Sequence, residues 1–109
     1  MLSVSRFVEK PDLARAEQFL RDGSFYWNAG MFFYRAGDML AAIERHLPAL
    51  AEGLGRLDAA ALRGEEDAAL AQIFPTLPSI SIDHGVMEHV TPMAMVRGDF
   101  GWSDLGSWL

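Results

Sequence analysis

Glu9-Lys10-Pro11 sets a carboxylate and an ammonium side by side where an alternating segment meets a proline, and Lys10 is the only lysine among nine basic residues. A cation next to an acceptor suits a ligand that carries both phosphate and hydroxyl groups, and open α/β sheets hold their ligands at strand ends. Taken alone, the same pair also reads as a surface ion pair. Asn28 and Gly30, in Trp27-Asn28-Ala29-Gly30-Met31, are the second candidate. An asparagine offers a donor and an acceptor, as a sugar hydroxyl does, and a glycine lets a ligand come close to the backbone; both are equally ordinary turn formers. Asp104 is the third, within the glycine- and tryptophan-rich run from Gly98 to Trp108. One carboxylate there can hold Mg²⁺ if water and substrate phosphates supply the other ligands, or it can cap its own loop. His46, His84 and His89 share no metal-ligand spacing and read as packing or solvent-facing residues. Without cysteine there is no disulfide, no thiolate metal site and no thiol nucleophile.

These residues need elements to hold them. Ser3 to Glu9 alternates and stops at Pro11, so it reads as a strand. Asp12 caps a helix whose Leu13, Ala16, Phe19 and Leu20 share one face, ending at Asp22-Gly23 and packing on the sheet. The apolar run Met31 to Tyr34 reads as a buried strand at the centre of that sheet. Asp38 begins a second amphipathic helix through Met39, Leu40, Ile43 and Leu47, with Pro48 after its end. Residues 49–74 are rich in Ala, Leu and Glu and interrupted by Gly53, Gly55 and Gly64, which predicts two or three short helices around loops, carrying no chemistry and free to vary in length. Ser79 or Ser81 caps a short helix with Ile82, Val86, Met87 and Val90 on one face and Asp83, His84 and Glu88 on or near the exposed side. Met93 to Val96 reads as a last buried strand. Strands and helices in this order predict an α/β fold.

The 109 residues are the size of one ordinary domain, half of them apolar, with a net charge of −6. Scattered basic residues and an acidic balance argue against nucleic acid as a partner. No apolar run approaches the roughly 18 residues needed to span a bilayer, and no secretory pattern opens the chain. A soluble protein of a reducing cytoplasm is expected.

Read together and in order, Phe7-Val8-Glu9-Lys10-Pro11, Trp27-Asn28-Ala29-Gly30-Met31-Phe32, Ser81-Ile82-Asp83-His84-Gly85-Val86-Met87-Glu88 and Gly101-Trp102-Ser103-Asp104-Leu105-Gly106-Ser107-Trp108 resemble the sugar-phosphate nucleotidyltransferases. The last two blocks are similar to the mannose-1-phosphate guanylyltransferase branch. The resemblance implies a piece of a Rossmann-like (GT-A-like) domain, a few-stranded mixed sheet with flanking helices. By it Glu9 and Lys10 contact the sugar phosphate, Asn28 and Gly30 the sugar hydroxyls, and Asp104 the catalytic Mg²⁺. The implied reaction joins mannose 1-phosphate to GTP with loss of pyrophosphate. Two departures accompany it. The family's glycine-rich nucleotide loop and its second metal-binding Asp lie ahead of the region that residues 1–109 resemble, so the chain is expected to be a partial domain, inactive alone. His89 stands where the family usually has Lys. A sheet of three strands lacking its other half would expose an edge, which predicts a homodimer, formed if need be by strand or helix exchange.

Overall fold

The structure, a computed structural model, describes residues 1–106; the Ser107 and Trp108 that complete the last block lie outside the described residues. The chain divides into two compact units, one formed by Met1–Phe33 with Pro92–Leu109 and the other by Tyr34–Thr91.

The first unit carries the sheet. Strand β1 (Leu2–Val4) pairs antiparallel with β2 (Met93–Met95) in the register Leu2↔Met95, Ser3↔Ala94 and Val4↔Met93. Alternation puts Val4, Met93 and Met95 on a half-buried face and leaves Ser3 and Ala94 exposed. The strand expected over Ser3–Glu9 thus ends at Val4. Its partner explains the stop: Pro92 precedes Met93 and has no N–H to extend the ladder.

Helix α1 (Leu13–Asp22) forms where its caps predict. The Asp12 carboxylate accepts the Arg15 N–H at 2.9 Å, and Gly23 closes the helix at φ 75°, its N–H donating to the Phe19 carbonyl at 3.3 Å. Phe19 stacks on Phe25 with centroids 3.9 Å apart, and the Arg6 guanidinium lies over both rings at 5.4 and 5.2 Å. The helix does not cover its whole apolar face, however, because Leu13 and Leu20 remain 76% and 65% exposed. Two three-residue strands are too small a platform for it.

The central strand expected at Met31–Tyr34 is absent; the backbone from Ser24 to Arg35 is irregular. The alternation survives without the strand: Phe32 is half-buried while Met31 and Phe33 face solvent. A strand exists only through a ladder partner, and this segment has none among the described residues.

The second unit is helical. Helix α2 (Ala36–His46) is followed after Leu47 by α3 (Pro48–Ala61), with Pro48 in the first turn where its missing N–H costs nothing. Then come α4 (Glu66–Ile73), a 3₁₀ turn (Phe74–Thr76) and a π-helical turn (Asp83–Met87). Gly53 and Gly55 do not break α3, contrary to the expectation from sequence. Gly53 is buried, and a Cβ there would collide with Leu77 Cδ2, so it is a contact glycine. Gly85 acts alike: a Cβ would lie 2.8 Å from Leu47 Cδ1. Ala60, Ile73, Val86 and Met87 form the buried apolar core of this unit. Ser81 caps the π-helical turn as expected, its Oγ accepting the His84 N–H at 3.2 Å.

The α/β class stands, with the sheet reduced to one antiparallel pair among the described residues.

Candidate functional site

All five residues singled out for ligand chemistry belong to the first unit. Glu9 and Lys10 leave the segment after β1, with Lys10 Nζ 3.6 Å from Glu9 Oε1. The lysine side chain is 86% exposed and the glutamate side chain 20%. Lys10 has φ 43°, and it is the one non-glycine residue with positive φ among the described residues. A left-handed conformation costs an L-residue roughly 1–2 kcal/mol, and a following proline biases its predecessor toward extended backbone. Pro11 follows here. The chain therefore holds its single lysine in an unfavourable conformation that lifts the ammonium into solvent while its carboxylate neighbour stays half-covered.

Asn28 and Gly30 make one turn. Gly30 sits at φ 70° and donates its N–H to Asn28 Oδ1 at 3.0 Å. That bond commits the amide oxygen and leaves the Nδ2 hydrogens to meet a ligand. Nothing lies within 4 Å of where a Gly30 Cβ would stand. Trp27, immediately before, is 75% exposed. Two contacts tie this turn into its unit: Phe32 meets Phe7 with ring centroids 6.3 Å apart, which links the stretch after Gly30 to the stretch before Glu9, and Arg97 Nη1 lies 3.4 Å from the Tyr26 hydroxyl.

Asp104 lies in the irregular stretch 96–106 after β2, exposed, beside a Leu105 N–H that donates to the Ser103 carbonyl at 3.2 Å. Among the described residues the hydrogen bonds and ion pairs of Lys10, Asn28 and Gly30 do not include it. Nor do three or more His, Cys, Asp or Glu side chains gather anywhere among the described residues into a metal-binding group. An exposed lone carboxylate is still a fitting donor for Mg²⁺, which keeps several waters and takes one or two carboxylates beside substrate phosphates.

The second unit holds the histidines. His46 and His89 stack with centroids 5.5 Å apart, as packing residues do. His84 Nδ1 lies 3.4 Å from Glu88 Oε2, an i,i+4 pair. A cleft of about 660 Å³ between α3 and α4, lined by Arg56, Ala59, Arg63, Glu65 and Ile73 among others, contains no residue expected to carry chemistry. Sequence reasoning missed the left-handed Lys10 and the Tyr26–Arg97 contact. No local signal marks either: the proline after Lys10 argues for extended backbone there, and nothing near Tyr26 in sequence points to Arg97.

The nucleotidyl transferase family model matches residues 2–109. The chain belongs to the nucleotidyl transferase family. It is 43% identical over 112 residues to the xanthan biosynthesis protein XanB of Xanthomonas campestris pv. campestris, a match covering 97% of this chain and 23% of that protein. It is 42% identical over 110 residues to a mannose-1-phosphate guanylyltransferase of Sinorhizobium fredii, covering 97% and 21% of the two, and 37% identical over 111 residues to that of Escherichia coli, covering 96% and 22%. The chain thus spans about a fifth of the length of the curated relatives it matches. No solved structure matches this nucleotidyl transferase chain. No helix among the described residues is long and apolar enough to cross a membrane.

Proposed function

We propose that these 109 residues are the sugar-phosphate-binding portion of a mannose-1-phosphate guanylyltransferase, which joins GTP and mannose 1-phosphate to give GDP-mannose and pyrophosphate. The observation that carries this reading is Lys10: a strained, exposed cation beside Glu9, in a chain about 40% identical to proteins of that name. Lys10 Nζ donates to the sugar phosphate, and Glu9 accepts from a sugar hydroxyl while limiting where the ammonium swings. Asn28 Nδ2 donates to a sugar oxygen, and Gly30 admits the ligand against its backbone. A sugar 1-phosphate oxygen then attacks the α-phosphorus of GTP in line. As the new P–O bond forms, the bond to the pyrophosphate oxygen breaks and its electrons leave with pyrophosphate, with no covalent enzyme intermediate. Positioning and charge neutralisation carry such a step. Mg²⁺, held in part by Asp104, supplies charge neutralisation on the phosphates when bound.

These residues contain no glycine-rich phosphate loop, so on this reading the nucleotide is held by elements other than those of residues 1–109. The 109-residue chain alone therefore binds without turnover, which is also what a non-enzymatic sugar-phosphate module would do. We further propose that it pairs with a second copy. Among the described residues the buried apolar side chains lie in the helical unit, whereas Leu13, Leu20, Trp27, Met31 and Phe33 of the other are 59–95% exposed. A GTP-consuming reaction and a chain without cysteine fit a cytoplasmic setting.

The experiment is a kinetic split in a complete enzyme carrying this segment. Asp104→Asn should lower kcat more than sugar-phosphate affinity, and Lys10→Ala should act chiefly on the KM for mannose 1-phosphate. Interchangeable kinetics for the two variants would overturn the division of roles.

A further inference from the structure

The turn that presents Asn28 has no regular backbone to orient it, since residues 24–35 form neither helix nor strand. Its internal bond, from the Gly30 N–H to Asn28 Oδ1, fixes the shape of the turn but not its direction. Direction has to come from the flanks. On one side Phe32 meets Phe7, and on the other Phe25 stacks on Phe19 of α1. Between Phe25 and Asn28 stands Tyr26, half exposed, whose hydroxyl takes the Arg97 guanidinium at 3.4 Å across 71 residues of sequence. Arg97 is two residues past the end of β2, in the stretch that runs on to Asp104.

We propose that Arg97 is a positioning residue: through Tyr26 it fixes the direction of the Asn28–Gly30 turn relative to the segment that carries Asp104. The consequence for ligand affinity rests on the sugar-phosphate reading above; the effect on the turn itself does not. The Arg97 guanidinium donates one N–H to the Tyr26 hydroxyl. A single exposed hydrogen bond of this length is weak, so its loss should weaken mannose 1-phosphate binding by only about three-fold. It should loosen the turn without unfolding the unit.

The test uses the full chain. Heteronuclear ¹⁵N–¹H NOEs at the Ala29 and Gly30 amides, the melting temperature and the Kd for mannose 1-phosphate are measured for wild type, Tyr26→Phe, Arg97→Met, the double variant and Arg97→Lys. Arg97→Met keeps the aliphatic stem and loses the donor, while Arg97→Lys keeps a donor. Expected are lower NOEs and about three-fold weaker binding for Tyr26→Phe and Arg97→Met, no further loss in the double variant, an unchanged melting temperature, and recovery in Arg97→Lys. Wild-type NOEs in Tyr26→Phe and Arg97→Met, or losses that add in the double variant, would overturn the proposal. Lower NOEs in a protein that does not bind mannose 1-phosphate at all would uphold the positioning role and sink the sugar-phosphate reading instead.

Discussion

The Lys10 ammonium lies 3.6 Å from the Glu9 carboxylate, and the backbone that brings them together turns left-handed at the lysine, with φ 43°. An exposed ion pair between neighbours is worth at most about 1 kcal/mol, while the left-handed backbone costs about as much. The pair therefore contributes no clear net stability, which fits the ligand role proposed for it.

A comparison of two substitutions separates strain from charge. Lys10→Gly and Lys10→Ala both remove the ammonium, but only glycine relieves the backbone. Lys10→Gly should be about 1 kcal/mol more stable than Lys10→Ala by chemical denaturation, and both should lose mannose 1-phosphate binding. An alanine variant as stable as the glycine variant would mean that Lys10 is not strained.

On the proposed reading, Asn28 gives its oxygen to the fold and its Nδ2 hydrogens to the ligand. Asn28→Asp keeps an oxygen for the Gly30 N–H and loses the donor, whereas Asn28→Ala loses both. Hydrogen exchange at the Gly30 amide should stay near wild type in Asn28→Asp and speed up in Asn28→Ala, while mannose 1-phosphate binding weakens in both. Rapid Gly30 exchange in Asn28→Asp would show that the turn does not depend on that oxygen.

In α3 two glycines two residues apart should respond differently to alanine. Gly55 is exposed with nothing within 4 Å of an added Cβ, so Gly55→Ala should stabilise by about 1 kcal/mol through helix propensity. Gly53→Ala meets Leu77, and the repacking this forces should offset that gain, leaving it about 1 kcal/mol or more below Gly55→Ala. Denaturation midpoints of the two variants check this, and equal gains would remove Gly53 from the packing.

The helices were legible because their signals are local: Asp12 and Gly23 bracket α1, and Ser81 caps the π-helical turn. The sheet was not, because Phe7 to Glu9 and Met31 to Tyr34 have strand composition but no ladder partner among the described residues, and pairing is a property of two segments. Gly53 misled for a similar reason, since a glycine that breaks a helix and one that admits Leu77 look alike in sequence. The candidate residues were legible as types; the conformation of Lys10 and the partner of Tyr26 are long-range outcomes of packing.

The proposed self-association rests on the exposed apolar side chains of the first unit, where Phe33 is 95% and Leu105 88% exposed. Exposed patches of several hundred Å² are uncommon on monomers, and two-fold pairing lets one patch cover itself. Light scattering behind size exclusion at micromolar concentration should give twice 12.1 kDa. A clean monomer that unfolds cooperatively would contradict the pairing.

The most direct test of the central claim is an NMR titration of the ¹⁵N-labelled chain with mannose 1-phosphate, run beside inorganic phosphate and mannose. Sugar-phosphate binding predicts saturable shifts at the Lys10, Ala29 and Gly30 amides and the Trp27 indole, larger for mannose 1-phosphate than for either part alone, and abolished by Lys10→Ala. Shifts confined to the helical unit, or none at millimolar ligand, would contradict it.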